Sequence, residues 1–394
     1  MKVLILTAAY PPASGGVATH VADLAHGLMQ KGHEIFVVTV NKDELPRKDG
    51  HGRLTIWKRP RRQVLDFDGR RVFCEDTLKF LLSHWHKIDP DIVHVHDLDS
   101  LYLAWLAKCA FGKPIVMTVH RAPSPWRHQR YKEIPKDTFL EAARAARVLD
   151  GIVVPSEASR AVLKDQGFGA GEGTVEIKVI PHGISQFLYG VADDLEVAAL
   201  LHASANRALV FCPSRADEHK DVDTFLEAAA RLKKLDQDSS LLFLIGSDPS
   251  DGYHAKLQSR AQQLGLREGE ELVFRKFEYK EMATVYRRAR LCVVPSRHES
   301  FGLTVLEAFM FGLPVVAANT TALKEIVTNG KNGLLFTDGD ADDLASQMLR
   351  ILSDPGLKER LSLEGKKTLA EGQRYSVITM IEEYERFYTR LVTA

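Results

Sequence analysis

Short aliphatic and β-branched runs recur along the chain, and each gap between them has room for one helix. "VLILT" (3–7) is followed by Val17, Val21, Leu24 and Leu28, spaced +4, +3 and +4, with Gly32 closing the predicted helix. Further runs are "EIFVVTV" (34–40), "DIVHV" (91–95), "PIVMTV" (114–119) and "GIVVPS" (151–156). A second series follows: "ALVFCPS" (208–214), "LLFLIGS" (241–247), "ELVF" (271–274), "LCVVPS" (291–296) and "PVVAAN" (314–319). Continuously apolar strands separated by helices belong to parallel sheets covered on both faces, so the class is α/β with two doubly wound domains. The string "VVPS" at 153–156 and again at 293–296 fits two similar sheets. The expected boundaries are a first domain over 1–185, a linker over 186–206 and a second domain over 207–374. From 375 onward, Ile378, Ile381, Tyr384, Phe387 and Leu391 recur at helical spacing and predict a helix that seeks an apolar partner on the first domain.

A chain of 394 residues suits two domains better than one core. Its 45% hydrophobic and 26% charged content is that of a globular enzyme, and 52 basic residues balance 52 acidic ones. That balance gives no global field for nucleic acid, although "KRPRR" (58–62) is locally basic. "MKVLILTAAYPP" is apolar too briefly for a signal peptide and fits a first strand. No apolar stretch reaches the roughly 20 residues of a membrane helix. Cys74, Cys109, Cys212 and Cys292 lack metal-ligand spacing, and Cys212 and Cys292 fall in strand-like runs as small buried hydrophobes. A reduced, cytoplasmic protein is expected.

Open parallel sheets bind ligands beyond the carboxyl ends of their strands, so the residues just after each strand are the candidates. Gly15-Gly16 precedes a helix, where bare amides either meet a phosphate or simply turn the chain. Arg215 and Lys220 follow the "LVFC" strand and either hold a diphosphate or answer Asp217, Glu218 and Asp221. After "LCVVPS", "FGLTVLEAFMF" predicts a helix with Ser300 at its N-cap, Gly312 at its end and Pro314 as the stop. Glu299 then lies in the loop and Glu307 about two turns into the helix. Ionised carboxylates accept hydroxyl pairs, as on a sugar or ribose, while the helix amides at 301–304 suit the phosphates between. Gly302 lets backbone approach the ligand closely. Thr304-x-x-Glu307 also matches a capping box, which would make Glu307 a local cap. His120 ends a strand, as a site residue or as a structural one. The segment 121–132 interleaves Arg121, Arg127, Arg130 and Lys132 with Trp126 and Tyr131, reading either as a binding loop or as a solvated basic one. "DLD" (97–99) and "DVD" (221–223) resemble metal motifs but also fit helix starts.

Together these features resemble the retaining GT-B glycosyltransferases, in particular glycosyltransferase family 4, over nearly the whole chain. The most specific part is Glu299-x7-Glu307 within "PSRHESFGLTVLEA", followed by "GLPVVA". "YPPASGGVATHVADLAHGLMQKGHEIFVVT", "DIVHVHD", "VIPHGIS", Arg215-x4-Lys220 and "EIVTNGKNGLLF" add to it in order. The resemblance implies the GT-B fold, two Rossmann-like domains facing across a cleft. In that scheme the second domain takes a nucleotide-sugar donor, most commonly a UDP-sugar, and the first an acceptor that is a sugar, a sugar phosphate or a lipid-linked hydroxyl. It further implies that Glu307 accepts from the ribose and that Glu299 contacts the donor sugar with Ser300, Phe301 and Gly302. Arg215 and Lys220 carry the diphosphate with the amides of Gly15, Gly16, Leu303 and Thr304. Lys276 and Phe277 of "RKFEY" (275–279) border the base, and His120 lies by the donor sugar. No cofactor and no divalent metal are expected, and the anomeric configuration is retained.

Three positions depart from the family pattern: Arg121 stands where Asp is frequent, "IPHG" replaces "IPNG" and so introduces His182, and Asp221 replaces a common Gly. The basic residues at 121–132 fit an anionic acceptor or peripheral contact with the inner membrane face. Two other readings stay open: a nucleotide-sugar epimerase on the same fold, and a non-catalytic nucleotide-sugar binder.

Overall fold

The computed structural model describes residues 1–11, 15–41, 47–60, 66–67, 70–71, 75–96, 108–109, 111–120, 149–165, 167–169, 175–185, 187–202, 206–214, 217–235, 241–246, 253–278 and 280–393. The chain forms two compact units, Met1–Gly183 with Tyr375–Ala394, and Ile184–Arg374.

The first unit is built on an eight-stranded sheet of β1 (Lys2–Thr7), β2 (Glu34–Asn41), β3 (Arg47–His51), β4 (Leu54–Pro60), β7 (Ile92–Val95), β8 (Ile115–Thr118), β9 (Gly151–Val154) and β10 (Glu176–Val179). The two-residue strands β5 (Asp66–Phe67) and β6 (Arg70–Arg71) form a separate ribbon. The sheet order is β10-β9-β8-β7-β1-β2-β4-β3, parallel throughout except for the β3–β4 hairpin at one edge. Alternate residues of β1 feed opposite cores: Leu4 and Leu6 pack with Trp85 and Phe80, whereas Val3 and Ile5 pack with Leu24, Leu28 and the last helix. This is the double burial that continuous apolar strands require. Part of the basic run at 58–62 is committed locally, since Lys58 pairs with Asp49 at 2.9 Å and Arg59 lies over Phe80.

The second unit carries a six-stranded, fully parallel sheet: β11 (Ala208–Cys212), β12 (Leu241–Ile245), β13 (Leu272–Phe274), β14 (Leu291–Val294), β15 (Val315–Ala318) and β16 (Leu334–Phe336), in the order β13-β12-β11-β14-β15-β16. Cys212 and Cys292 are fully buried in neighbouring strands. Residues expected as a linker include the helices Phe187–Gly190 and Leu195–His202. The second is fixed within this unit by the Asp194 amide donating to Thr284 Oγ1 at 2.8 Å.

The last helix, Val377–Thr393, packs on the first unit, as its spacing predicts, but on a slightly rotated face. Met380, Ile381, Tyr384, Phe387 and Tyr388 are buried, while Ile378 is 64% exposed. The cause is close contact along the Met380–Ile381 side: a Cβ on Gly27 would fall 1.8 Å from Ile381 Cδ1, and one on Gly151 2.5 Å from Phe387 Cζ. Among the described residues, no helix is long and apolar enough to cross a membrane.

Gly183 sets how closely the strand-end loop meets this helix. Its amide donates to Met380 Sδ at 3.1 Å, and a Cβ there would lie 2.4 Å from Val377 Cα. Backbone cannot rotate away as a side chain can. Gly183→Ala is therefore expected to destabilise the fold by about 1–3 kcal/mol, the range for overpacking. Urea denaturation should show a lowered midpoint, and an unchanged midpoint would refute this packing account.

Candidate functional site

Strand order in the second unit reverses between β11 and β14, because the chain runs outward from β11 to β13 and then restarts at β14 toward β16. Loops leaving adjacent carboxyl ends in opposite directions open a crevice there. From β11 the chain passes Pro213 and Ser214 and reaches the 3-10 turn Glu218–Lys220. From β14 it passes Pro295 to Ser300 and enters the helix Leu303–Met310.

The two exits are joined over that crevice. The Lys220 ammonium pairs with Glu299 Oε1, and Ser296 Oγ donates to the same oxygen at 3.1 Å. Side-chain exposures of 17% and 16% keep this pair mostly out of water. Burial alone would push the Glu299 carboxyl up, but the Lys220 charge, with hydrogen bonds from Lys220 and Ser296, holds it below its usual range. The Glu299 amide donates to Thr321 Oγ1 at 3.0 Å, and Thr320 Oγ1 donates to the Ser296 carbonyl at 2.9 Å. Arg297 completes the stitching. Its amide donates to the His219 carbonyl at 3.0 Å and its guanidinium pairs with Asp221, a residue at φ 47°.

The helix behind Glu299 starts later than its sequence predicts. Its N-cap is Gly302 at φ 109°, not Ser300, whose side chain is buried with that of Phe301. A Cβ on Gly302 would approach Leu323 Cδ2 to 3.1 Å, so this glycine serves packing against the helix Leu323–Ile326 as well as the turn. Leu303 and Thr304 are half-buried at the helix start, where the first amides lack intrahelical acceptors. Glu307 consequently lies little more than one turn in. It is no capping-box partner of Thr304: its Oε2 accepts from Tyr286 Oη at 2.8 Å. Burial raises the Glu307 carboxyl from 4.5 to about 7, with the Tyr286 bond opposing only part of that rise.

Phe277 lies edge-on to Phe211 of β11 and beneath the Arg275 guanidinium, while Lys276 is exposed beside it. "DVD" is committed to structure: Asp221 to Arg297 and Thr224, Asp223 to Tyr253 Oη. Arg215 and the residues Arg121, Trp126, Arg127, Arg130, Tyr131 and Lys132 lie outside the described residues, as does "DLD".

In the first unit the switch point falls between β1 and β7. Gly15 caps the helix Gly16–Gln30 at φ 122°, and both glycines are exposed. His120, after β8, does not stand alone. Its Nε2 meets His96 Nδ1 at 2.9 Å and its Nδ1 meets His182 Nε2 at 3.3 Å. His20 lies edge-on to His120 and tilted against His182, and His94 is held by Tyr388 Oη at 2.6 Å and Thr118 Oγ1 at 2.8 Å. Burial holds His94 and His182 down at about 3. Burial, with crowding by the neighbouring rings, also lowers His20, His96 and His120 well below their ordinary value, so all five imidazoles are neutral. Sequence reasoning singled out only His120 and His182 from this cluster, although His96 and His120 share the strand-end position that marks a candidate.

The family description "glycosyl transferases group 1" matches residues 201–368, and "glycosyltransferase family 4" matches residues 14–186. An uncharacterized glycosyltransferase of Methanocaldococcus jannaschii is 25% identical over 398 residues, spanning 98% of each chain. A D-inositol 3-phosphate glycosyltransferase of Xylanimonas cellulosilytica is 26% identical over 366 residues, 89% of this chain and 86% of the relative. The crystal structure of Anabaena Alr3699/HepE in complex with UDP and glucose shares the fold at a TM-score of 0.78 and 19% identity, covering 99% of this chain and 100% of that one. Two parallel-sheet Rossmann-like domains of this kind make up the GT-B fold. The chain belongs to glycosyltransferase family 4, and it is a transferase enzyme.

Glu307 makes the site a source of pH-dependent instability. Its folded value lies above its unfolded one, so the stability it contributes while protonated is lost as pH rises from about 4.5 through 7. The shift corresponds to roughly 3 kcal/mol. Glu307→Gln should raise Tm at pH 8 and leave it nearly unchanged at pH 5. Equal shifts at the two pH values, or a loss at pH 8, would contradict the assignment.

Proposed function

We propose that the enzyme moves a sugar from a UDP-sugar to a hydroxyl of a sugar, sugar-phosphate or lipid-linked acceptor, with retention at the anomeric carbon. One observation carries the donor half of this reading: Lys220 and Glu299 meet over the switch point of the second unit, beside a helix start and a half-buried Glu307. An anion and a cation there match two needs of one ligand, hydroxyl donors on its rings and negative charge between them. Glu307 accepts from the ribose, Glu299 from the donor sugar, and the amides of Leu303 and Thr304 face the diphosphate. Phe277 borders the base.

As the anomeric bond breaks, negative charge grows on the departing diphosphate, and Lys220 with Arg215 offsets it. That phosphate oxygen takes the acceptor proton as the acceptor oxygen bonds to the same face, so no enzyme carboxylate serves as nucleophile. His120 is assigned the donor-sugar contact that the family resemblance implies. This reading assigns no divalent metal to the step; the aspartates of "DVD" accept from Arg297, Thr224 and Tyr253. A phosphorylated acceptor is favoured by the name of the Xylanimonas relative, a D-inositol 3-phosphate glycosyltransferase, and by the basic residues Arg121, Arg127 and Arg130.

Mass spectrometry after incubation with UDP-glucose and a panel of polyol and sugar phosphates is expected to detect a glycosylated product and UDP. Epimerised nucleotide sugar formed without acceptor would move the enzyme to the isomerase class instead. Lys220→Ala should lower kcat/KM by about a hundredfold or more. Native turnover in that variant would remove Lys220 from the reaction, and a parallel thermal melt separates lost chemistry from lost fold.

A further inference from the structure

We infer that His20, His120 and His182 form a binding site for one nitrogen-preferring first-row transition-metal ion, with Zn2+ and Co2+ as its simplest occupants. One ring nitrogen from each of the three lies within 4.8 Å of the other two. Two ligands 2.0–2.1 Å from a tetrahedral zinc are about 3.3 Å apart. His120 Nδ1 and His182 Nε2 are already 3.3 Å apart. The rings come from three separate places, the helix Gly16–Gln30, the end of β8 and the segment after β10, so their convergence is set by the fold.

Two further observations separate a ligand set from mere packing. His20 Nδ1 is buried and has no hydrogen-bond partner among the described residues, an arrangement that native interiors avoid. The opposite nitrogens of His20 and His120 are engaged as outer partners of metal-bound imidazoles are. His20 Nε2 faces Tyr384 Oη at 3.4 Å, and His120 Nε2 faces His96 Nδ1 at 2.9 Å. The trio holds no carboxylate, so it suits zinc-like ions and disfavours Mg2+ and Ca2+. Three protein ligands leave one position open.

The ion itself takes no part in the transfer chemistry. On the transferase reading, from which this consequence alone follows, an ion held by His120 takes that ring from the donor sugar and inhibits turnover.

The full-length protein, stripped with a chelator and titrated with Co2+, should develop the visible bands of a tetrahedral, nitrogen-ligated ion, saturating at one equivalent. Elemental analysis after dialysis against Zn2+ should find the same stoichiometry. His20→Gln and His182→Asn, each checked for native circular dichroism, should both lose the bands and the retained zinc. Absence of the bands from the native chain, or their persistence in both folded variants, would overturn the site. Zn2+ should also suppress turnover until chelator is added. Bound ion with undiminished turnover would leave the site standing and remove His120 from the reaction.

Discussion

A parallel strand cannot hand the chain to its neighbour by a tight turn; every connection must cross back over a face of the sheet. All strands of such a sheet therefore finish on one edge, and that constraint governs both units here. Lys220 follows β11, Glu299 follows β14, His96 follows β7 and His120 follows β8. In each sheet one point exists where neighbouring connections depart in opposite directions, and in the second unit the Lys220–Glu299 pair spans it. A cavity of about 590 Å3 opens at the opposite edge of that sheet, lined by Arg207, Leu235, Arg290 and Leu349. Among the described residues its walls lack the paired acid and base seen at the carboxyl edge, so chemistry is assigned to the switch point and not to this hollow.

The site departs from what stability alone would select. Glu307 is half-buried against one phenol, and its ionisation opposes folding near neutral pH. Glu299 is held in its charged form in a mostly dry loop chiefly by Lys220, with help from Ser296, and breaking such an ion pair typically costs about 3–5 kcal/mol. Asp221 occupies left-handed backbone while accepting from Arg297 and Thr224. In the first unit, five neutral imidazoles fill space that aliphatic side chains would fill at no polar cost. Such concentrations of buried polar groups mark where function outranks packing.

Much of the architecture was legible because central strands of a parallel sheet are apolar on both faces and stand out in any reading. Three of the four edge strands were not: Glu176–Val179 is half-exposed, Arg47–His51 is polar, and Leu334–Phe336 spans three residues. The last helix was legible, yet its face was misjudged at Ile378, since the close approach to Gly27 and Gly151 rotates it toward Met380. Ser300 looked like a cap, but a cap needs its side chain at the helix mouth, and Ser300 is buried while Gly302 makes the turn. The two glutamates were found from spacing. The partners that set their charge, Lys220 at 79 positions from Glu299 and Tyr286 at 21 from Glu307, depend on strand order, which local pattern does not encode. The histidine cluster was hidden for the same reason, as its members span positions 20 to 182 and lean on Tyr384 and Tyr388.

The central claim is that donor recognition resides at the switch point of the second unit. Hydrogen–deuterium exchange with and without UDP-glucose tests it most directly. Slowed exchange is predicted for the amides of residues 217–222 and 296–307. Unchanged exchange there, with protection instead around Arg207, Leu235 and Leu349 at the opposite sheet edge, would contradict it.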